Sequence, residues 1–288
     1  MKDKLINWSF FAALSVIWGS SFILMKAGLE VLSPYQVASI RIMSAGVVLL
    51  PFAARAFAAV PRNKLLLVIT SGLLGSFFPA YLFCIAELKI SSSLTGILNA
   101  LTPLFTIIVG ISFFKLKANI WKLAGVLIGF VGLCLLMMAS GEVNMGEFSY
   151  TALILIATLF YGINVNLVGR HLQGIGSLNI AALAFVFLLI PCLIMLYVTG
   201  YFSHAFGERQ VWLSTLASFV LGTMGTAVAS VLFYMLVKRA GPLFASLVTY
   251  GIPFVAIIWG LIYGENINML QVGSLVVILG GVYLVNKK

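Results

Sequence analysis

The chain has 288 residues, 62% of them hydrophobic and only 8% charged, with 17 Lys and Arg against 7 Asp and Glu for a formal net charge of +10. Soluble globular chains carry about 25% charged residues, so this composition excludes that class and leaves a protein that crosses a lipid bilayer many times. The positive charge then reports orientation in the membrane and not an affinity for nucleic acid, because it collects in short connections between apolar runs.

Uncharged or nearly uncharged runs occur at Leu5 to Met25, Pro34 to Ala54, Leu65 to Ala86, Ile90 to Phe114, Leu123 to Ser140, Phe148 to Gly169, Leu178 to Val198, Gln210 to Val237, Ala240 to Gly264 and Asn266 to Asn286. About 20 helical residues cross the ~30 Å hydrocarbon core at 1.5 Å each, so these runs predict ten transmembrane helices in an all-α polytopic membrane protein. The connections are short and rich in Gly, Pro, Ser and Asn, which leaves no room for an inserted soluble domain. The first run lacks a small-residue cleavage site, so no cleavable signal is expected. The three cysteines, Cys84, Cys134 and Cys192, sit inside apolar runs without metal-ligand spacing, and no metal or cofactor is expected.

Charge alternates along the connections. Lys2, Lys4, Arg55, Arg62, Lys64, Lys115, Lys117, Lys122, Arg170, Lys238, Arg239, Lys287 and Lys288 fall on one set, and the other set holds only Lys89 and Arg209. The positive-inside rule makes the first set cytoplasmic, with both termini inside the plasma (inner) membrane. Glu30, Glu87, Glu142, Glu147, Glu208 and Glu265 fall on the opposite side.

The run from Ile90 to Phe114 returns 150 positions later, with Pro103 on Pro253 and Gly110 on Gly260. The same offset carries Gly72 to Gly222, Gly75 to Gly225, Phe83 to Phe233 and Lys89 to Arg239, while Trp18-Gly19 aligns with Tyr161-Gly162. Further on, an offset of 148 carries Gly125 to Gly273 and Gly132 to Gly280. The chain therefore reads as a duplicated five-helix unit, residues 1–141 and 142–288. An odd number of helices per half forces the two into opposite orientations, as Lys115 and Glu265 at one repeat position illustrate. Inverted repeats of this kind build transporters whose substrate sites lie near the midplane, beside interrupted helices.

The first run contains Trp18-Gly19-Ser20-Ser21-Phe22 with Lys26 beyond it; the second has Pro34 and Arg41, the fourth Asn99 and Pro103, and the fifth Gly125, Gly129 and Gly132. In this order over essentially the whole chain, these motifs resemble the EamA family of the drug/metabolite transporter superfamily. The resemblance implies ten helices around a central cavity walled by helices one, three, four, six, eight and nine, with five and ten as outer scaffold. It also implies export of small metabolites, amino acids among them. Lys115 departs from the family, where an acidic residue is common, and the cytoplasmic position of that connection accounts for the difference.

Several side chains can line such a cavity. Thr95, Asn99, Thr102 and Thr106 share one helical face, which fits either hydrogen-bonded helix packing or a cavity wall. Thr223, Thr226, Ser230 and Tyr234 form a second face, which either admits a neighbouring helix closely or lines a cavity; Tyr161 with Asn164, and Ser246, Thr249 and Tyr250, form others. The expected substrate contacts are Trp18, Ser21, Asn99, Tyr161, Asn164, Ser230, Tyr234, Thr249 and Tyr250, a set of aromatic faces and hydrogen-bonding groups suited to amphipathic or aromatic solutes. Pro79, Pro103 and Pro253 each remove a helical hydrogen bond, freeing the carbonyls of Gly75, Asn99 and Thr249, and mark either kinked gating segments or sites of close packing. Arg41, two turns into its helix, either pairs with backbone carbonyls or meets an anionic substrate group; Lys26, nearer the surface, either snorkels or joins it.

No Asp or Glu lies well inside an apolar run, so a carboxylate proton relay is not expected. A membrane-embedded enzyme would need a convergent catalytic cluster, and only His171 and His204 are present, on opposite predicted sides with no HExxH or GxSxG context. No catalytic residue is assigned. Gly125 and Gly129 form a GxxxG face that serves either a second copy or packing within the chain, so a monomer or weak homodimer is expected.

Overall fold

A computed structural model describes residues 2–90, 92–117, 119–140, 148–255, 258 and 268–286; Glu142, Glu147, Gly260, Glu265, Lys287 and Lys288 lie outside them. Among the described residues the regular structure is helical throughout, with no strand. That is what hydrocarbon requires, since a spanning helix satisfies its own N–H and C=O groups where no water can. In chain order the helices are α1 (Lys2–Leu29), α2 (Pro34–Ala59), α3 (Leu65–Gly72), α4 (Phe78–Ala86), α5 (Ser92–Asn99), α6 (Thr102–Phe114), α7 (Ile120–Ser140), α8 (Phe148–His171), α9 (Ser177–Val198), α10 (Arg209–Gly222), α11 (Ala229–Ala240), α12 (Pro242–Ser246) and α13 (Met269–Asn286). A π-helical turn, Leu73–Phe77, makes α3 and α4 continuous, and a second one, Thr223–Val228, does the same for α10 and α11. Six helical stretches are long and apolar enough to cross a membrane: Asp3–Leu29, Pro34–Ala59, Arg62–Ala86, Ser149–His171, Ser177–Val198 and Arg209–Ala240. Shorter apolar helices cover Thr102–Phe114, Ile120–Leu136, Pro242–Val255 and Met269–Val285.

Close approach at glycines marks the helix pairs, as expected where lipid is as apolar as leucine. A Cβ added at Gly125 would stand 2.7 Å from the Gly281 carbonyl oxygen, and one at Gly132 would stand 2.9 Å from Ile278, so α7 lies directly on α13. The GxxxG face is thus used within the chain. Gly273 and Gly280, which the repeat aligns with Gly125 and Gly132, have no neighbour within 4 Å of an added Cβ, and Gly281 makes the contact in their place. In the same way Gly46 lets α2 approach α9, where an added Cβ would meet Leu189 at 2.5 Å and the Phe185 carbonyl at 2.9 Å. Helix α2 starts at a capping box, with the Gln36 N–H donating to Ser33 Oγ at 3.3 Å and the Ser33 N–H to Gln36 Oε1 at 2.9 Å, followed by Pro34 in the first turn.

The prolines act as interruptions. The stretch expected as one spanning helix from Ile90 to Phe114 is divided: α5 stops at Asn99, residues 100 and 101 form a turn, and α6 restarts with Pro103 in its first turn, where no N–H is needed. The matching place in the second half is also broken, with α12 passing into a 3₁₀ turn, Leu247–Tyr250, then Gly251 and a helical segment at 252–255 that contains Pro253. The two π turns begin at Leu73 and Thr223, again 150 positions apart. Pro79 follows the first of them, but no proline follows the second, so the missing N–H of Pro79 is not by itself the cause of the wider turn.

Candidate functional site

The π turns and the broken helices meet at a partly open cavity of about 100 Å³. Trp18, Ser21, Asn99, Tyr161, Asn164, Ser230, Tyr234 and Thr249 all line it, together with Arg41. The sequence order of these residues runs from α1 to the 3₁₀ turn after α12, so the wall is assembled from both halves of the chain.

Most of the polar groups are already oriented. Trp18 donates its indole N–H to the Gly225 carbonyl at 3.1 Å, capping an oxygen in the second π turn. Ser71 Oγ donates to Asn164 Oδ1 at 2.7 Å and lies 3.2 Å from the Tyr234 hydroxyl, a buried network joining α3, α8 and α11. Thr102 Oγ1 donates to the Asn99 carbonyl at 2.6 Å, so the oxygen freed by Pro103 is satisfied inside its own break. Arg41 is half-buried, and its Nε donates to Thr226 Oγ1 at 2.7 Å. It is the only charged side chain in the described lining.

The contacts come in pairs that follow the sequence repeat. An offset of 143 carries Trp18 to Tyr161, Ser21 to Asn164 and Arg41 to Ala184, and an offset of 150 carries Gly72, Gly75 and Phe83 to Gly222, Gly225 and Phe233. Trp18 packs on Phe233 with ring centroids 5.1 Å apart, and Tyr161 stacks on Phe83 at 5.9 Å. Ser21 Oγ would lie 2.7 Å from a Cβ at Gly225, and Asn164 Nδ2 would lie 2.2 Å from one at Gly75. The Arg41 carbonyl oxygen would lie 2.3 Å from a Cβ at Gly222, and the Ala184 carbonyl oxygen 3.1 Å from one at Gly72. Each pair joins one half to the other.

Tyr250 does not join the others. Its side chain is fully buried away from the cavity, the hydroxyl donates to the Val126 carbonyl at 2.8 Å, and the ring fills the space over Gly129, where an added Cβ would come within 2.2 Å of Cε2. The tight 3₁₀ turn directs Thr249 into the cavity and its neighbour Tyr250 toward α7. Lys26 is exposed and outside the lining, and Pro79, Pro103 and Pro253 are buried behind it. Thr95 and Thr106, taken with Asn99 as one stripe, are buried but not in the wall; the Thr106 hydroxyl donates back to the Thr102 carbonyl at 2.8 Å. Phe83, Phe233, Ser76 and Met25 also belong to the wall without having been singled out for it. The pairing of Phe83 with Phe233 across the repeat was the available signal.

Comparison with known proteins extends this picture. The EamA-like transporter family matches the chain twice, over residues 6–138 and 149–287. The uncharacterized inner membrane transporter YedA of Escherichia coli (strain K12) is 26% identical over 280 residues, covering 95% of this chain and 88% of that protein. The probable amino-acid metabolite efflux pump of the same strain is 31% identical over 123 residues, covering 42% of this chain and 40% of that protein. A solved crystal structure superposes with a TM-score of 0.71 over 98% of this chain and 96% of its own, at 14% sequence identity, a likeness of fold alone.

Proposed function

We propose, from the premise that the chain belongs to the EamA-like transporter family, that it exports small amphipathic or aromatic metabolites through the cavity between its two halves by alternating access. The observation that carries this reading is the set of paired contacts across the cavity, because a site built on a pseudo-two-fold axis can be exposed to either side by exchanging the conformations of its two halves. In this reading residues 1–141 and 142–288 are oppositely oriented repeats with both termini in the cytoplasm, as the alternation of basic connections supports. Pro79, Pro103 and Pro253, beside the π turn and the two helix breaks, are the hinges.

The apolar part of the solute lies against Trp18, Tyr161, Phe83 and Phe233. Ser21, Asn99, Asn164, Ser230, Tyr234 and Thr249 supply hydrogen bonds of about 0.5–1.5 kcal/mol net each, so several weak contacts fix orientation without holding the solute too tightly to release. An amino-acid-like solute suits this lining, in keeping with the name of the efflux-pump relative. The test is an untargeted comparison of metabolites in the medium of cells that overexpress or lack the protein. Accumulation of a small chemically related group outside the overexpressing cells is expected. Identical media would overturn the reading, and so would a chemical conversion that persists in detergent without a sealed membrane.

A further inference from the structure

We propose that Arg41 is an anion subsite that takes the carboxylate of the solute, an inference that rests on reading the cavity as the solute path. The Nε–H of Arg41 is held by Thr226 Oγ1 at 2.7 Å, and the Thr226 hydroxyl is itself directed at the Leu221 carbonyl, 3.4 Å away across the second π turn. One hydrogen bond therefore fixes the plane of the guanidinium group. Its two terminal nitrogens make no hydrogen bond or ion pair among the described residues. Their four N–H groups include a fork whose spacing matches the two oxygens of a carboxylate. No Asp or Glu belongs to the described lining, which leaves the fork open to an anion that a solute brings into the cavity.

The repeat separates packing from charge at this position. Arg41 and its counterpart Ala184 make the same backbone approach, to Gly222 and Gly72 respectively. Since the second half makes its approach with an alanine, the backbone contact itself does not require a cation. An unpaired guanidinium at membrane depth costs free energy, and a solute anion, or the water it displaces, offsets that cost. A single cation with one free fork suits a monoanionic carboxylate better than a phosphate dianion, which would call for a second basic group that the described lining does not contain. With the rings of Trp18, Phe83 and Tyr161 in the same wall, the solute class is a small carboxylate with an apolar or aromatic body.

Fluorine NMR on the purified full-length protein in detergent tests this, with para-fluorobenzoate and para-fluorobenzamide as probes and inorganic phosphate and acetate as competitors. The expected result is that the carboxylate binds at least about tenfold more tightly than the amide. In Arg41→Ala that preference falls to within about twofold; Arg41→Lys, which keeps the charge and loses the fork, is intermediate. Thr226→Val, which frees the guanidinium plane, weakens the preference in a protein whose folding does not depend on the arginine being removed. A melting curve for each variant confirms that it is folded. Equal binding of acid and amide, an unchanged preference in Arg41→Ala, no carboxylate binding to the folded wild type, or displacement by phosphate well ahead of acetate would each overturn the subsite. If the subsite fails while overexpression still changes the medium, transport stands without it. If both fail, the cavity reading fails with it.

Discussion

Tyr250 offers a sharp separation between a wall residue and a pillar. Its hydroxyl bonds to the Val126 carbonyl at 2.8 Å, in the interior of α7, and the ring closes over Gly129 with no exposed surface. Tyr250→Phe removes one hydrogen bond and leaves the ring. The Val126 carbonyl keeps its partner within α7, so the expected cost is near the lower end of the usual range, about 0.5–1 kcal/mol. Tyr250→Ala also removes the ring and leaves a void against Gly129, for which about 3–5 kcal/mol is expected. Thermal unfolding of the purified variants in detergent reads the two losses, and uptake into sealed vesicles at matched protein content reads the solute preference. Stability should fall in that order while the relative rates for different solutes stay unchanged in Tyr250→Phe. A Phe variant of unaltered stability but altered solute preference would refute the reasoning and return Tyr250 to the cavity.

The repeat also predicts an asymmetry between matched glycines. Gly222→Ala would place its Cβ 2.3 Å from the Arg41 carbonyl oxygen, a backbone atom that cannot rotate away, and should destabilise by about 1–3 kcal/mol; Gly72→Ala, with 3.0 Å to Ala184 Cβ, should cost less, and the reverse order in melting temperatures would contradict the packing described. Orientation is tested by single cysteines in a background lacking Cys84, Cys134 and Cys192. Positions beside Glu30 and Glu208 should react with an impermeant thiol reagent in intact cells and those beside Arg62, Lys117 and Arg170 should not, and labelling of both sets would remove the opposed orientation of the halves.

Much of the site is legible in the sequence repeat. Trp18, Tyr161, Ser21 and Asn164 could be paired by alignment alone, and their contacts with Phe233, Phe83, Gly225 and Gly75 follow the same offsets. What helical spacing could not reveal lies where the helix is not α. In the 3₁₀ turn at Leu247–Tyr250 the rotation per residue is larger than in an α-helix, so Ser246 and Thr249, three apart, stay together in the cavity wall while Tyr250 turns off that face to the scaffold. Nor does the spacing show that the Asn99 carbonyl freed by Pro103 is satisfied locally by Thr102, which the same break places beside it. The π turns had no warning in the sequence beyond the paired glycines, since only one of the two is followed by a proline.

The central claim, that the solute passes through the cavity walled by both halves, is tested most directly by repeating the medium comparison with cavity variants expressed at equal levels. Asn99 and Tyr161 lie in the wall on opposite halves of the chain, whereas Val277 lies on α13, outside it. Asn99→Ala and Tyr161→Ala should each reduce the accumulated solutes several-fold, as expected for losing contacts of about 1 kcal/mol, and Val277→Ala should leave them unchanged. Undiminished export by both wall variants, together with a changed solute pattern for Val277→Ala, would contradict the account and move the path to the outer helices.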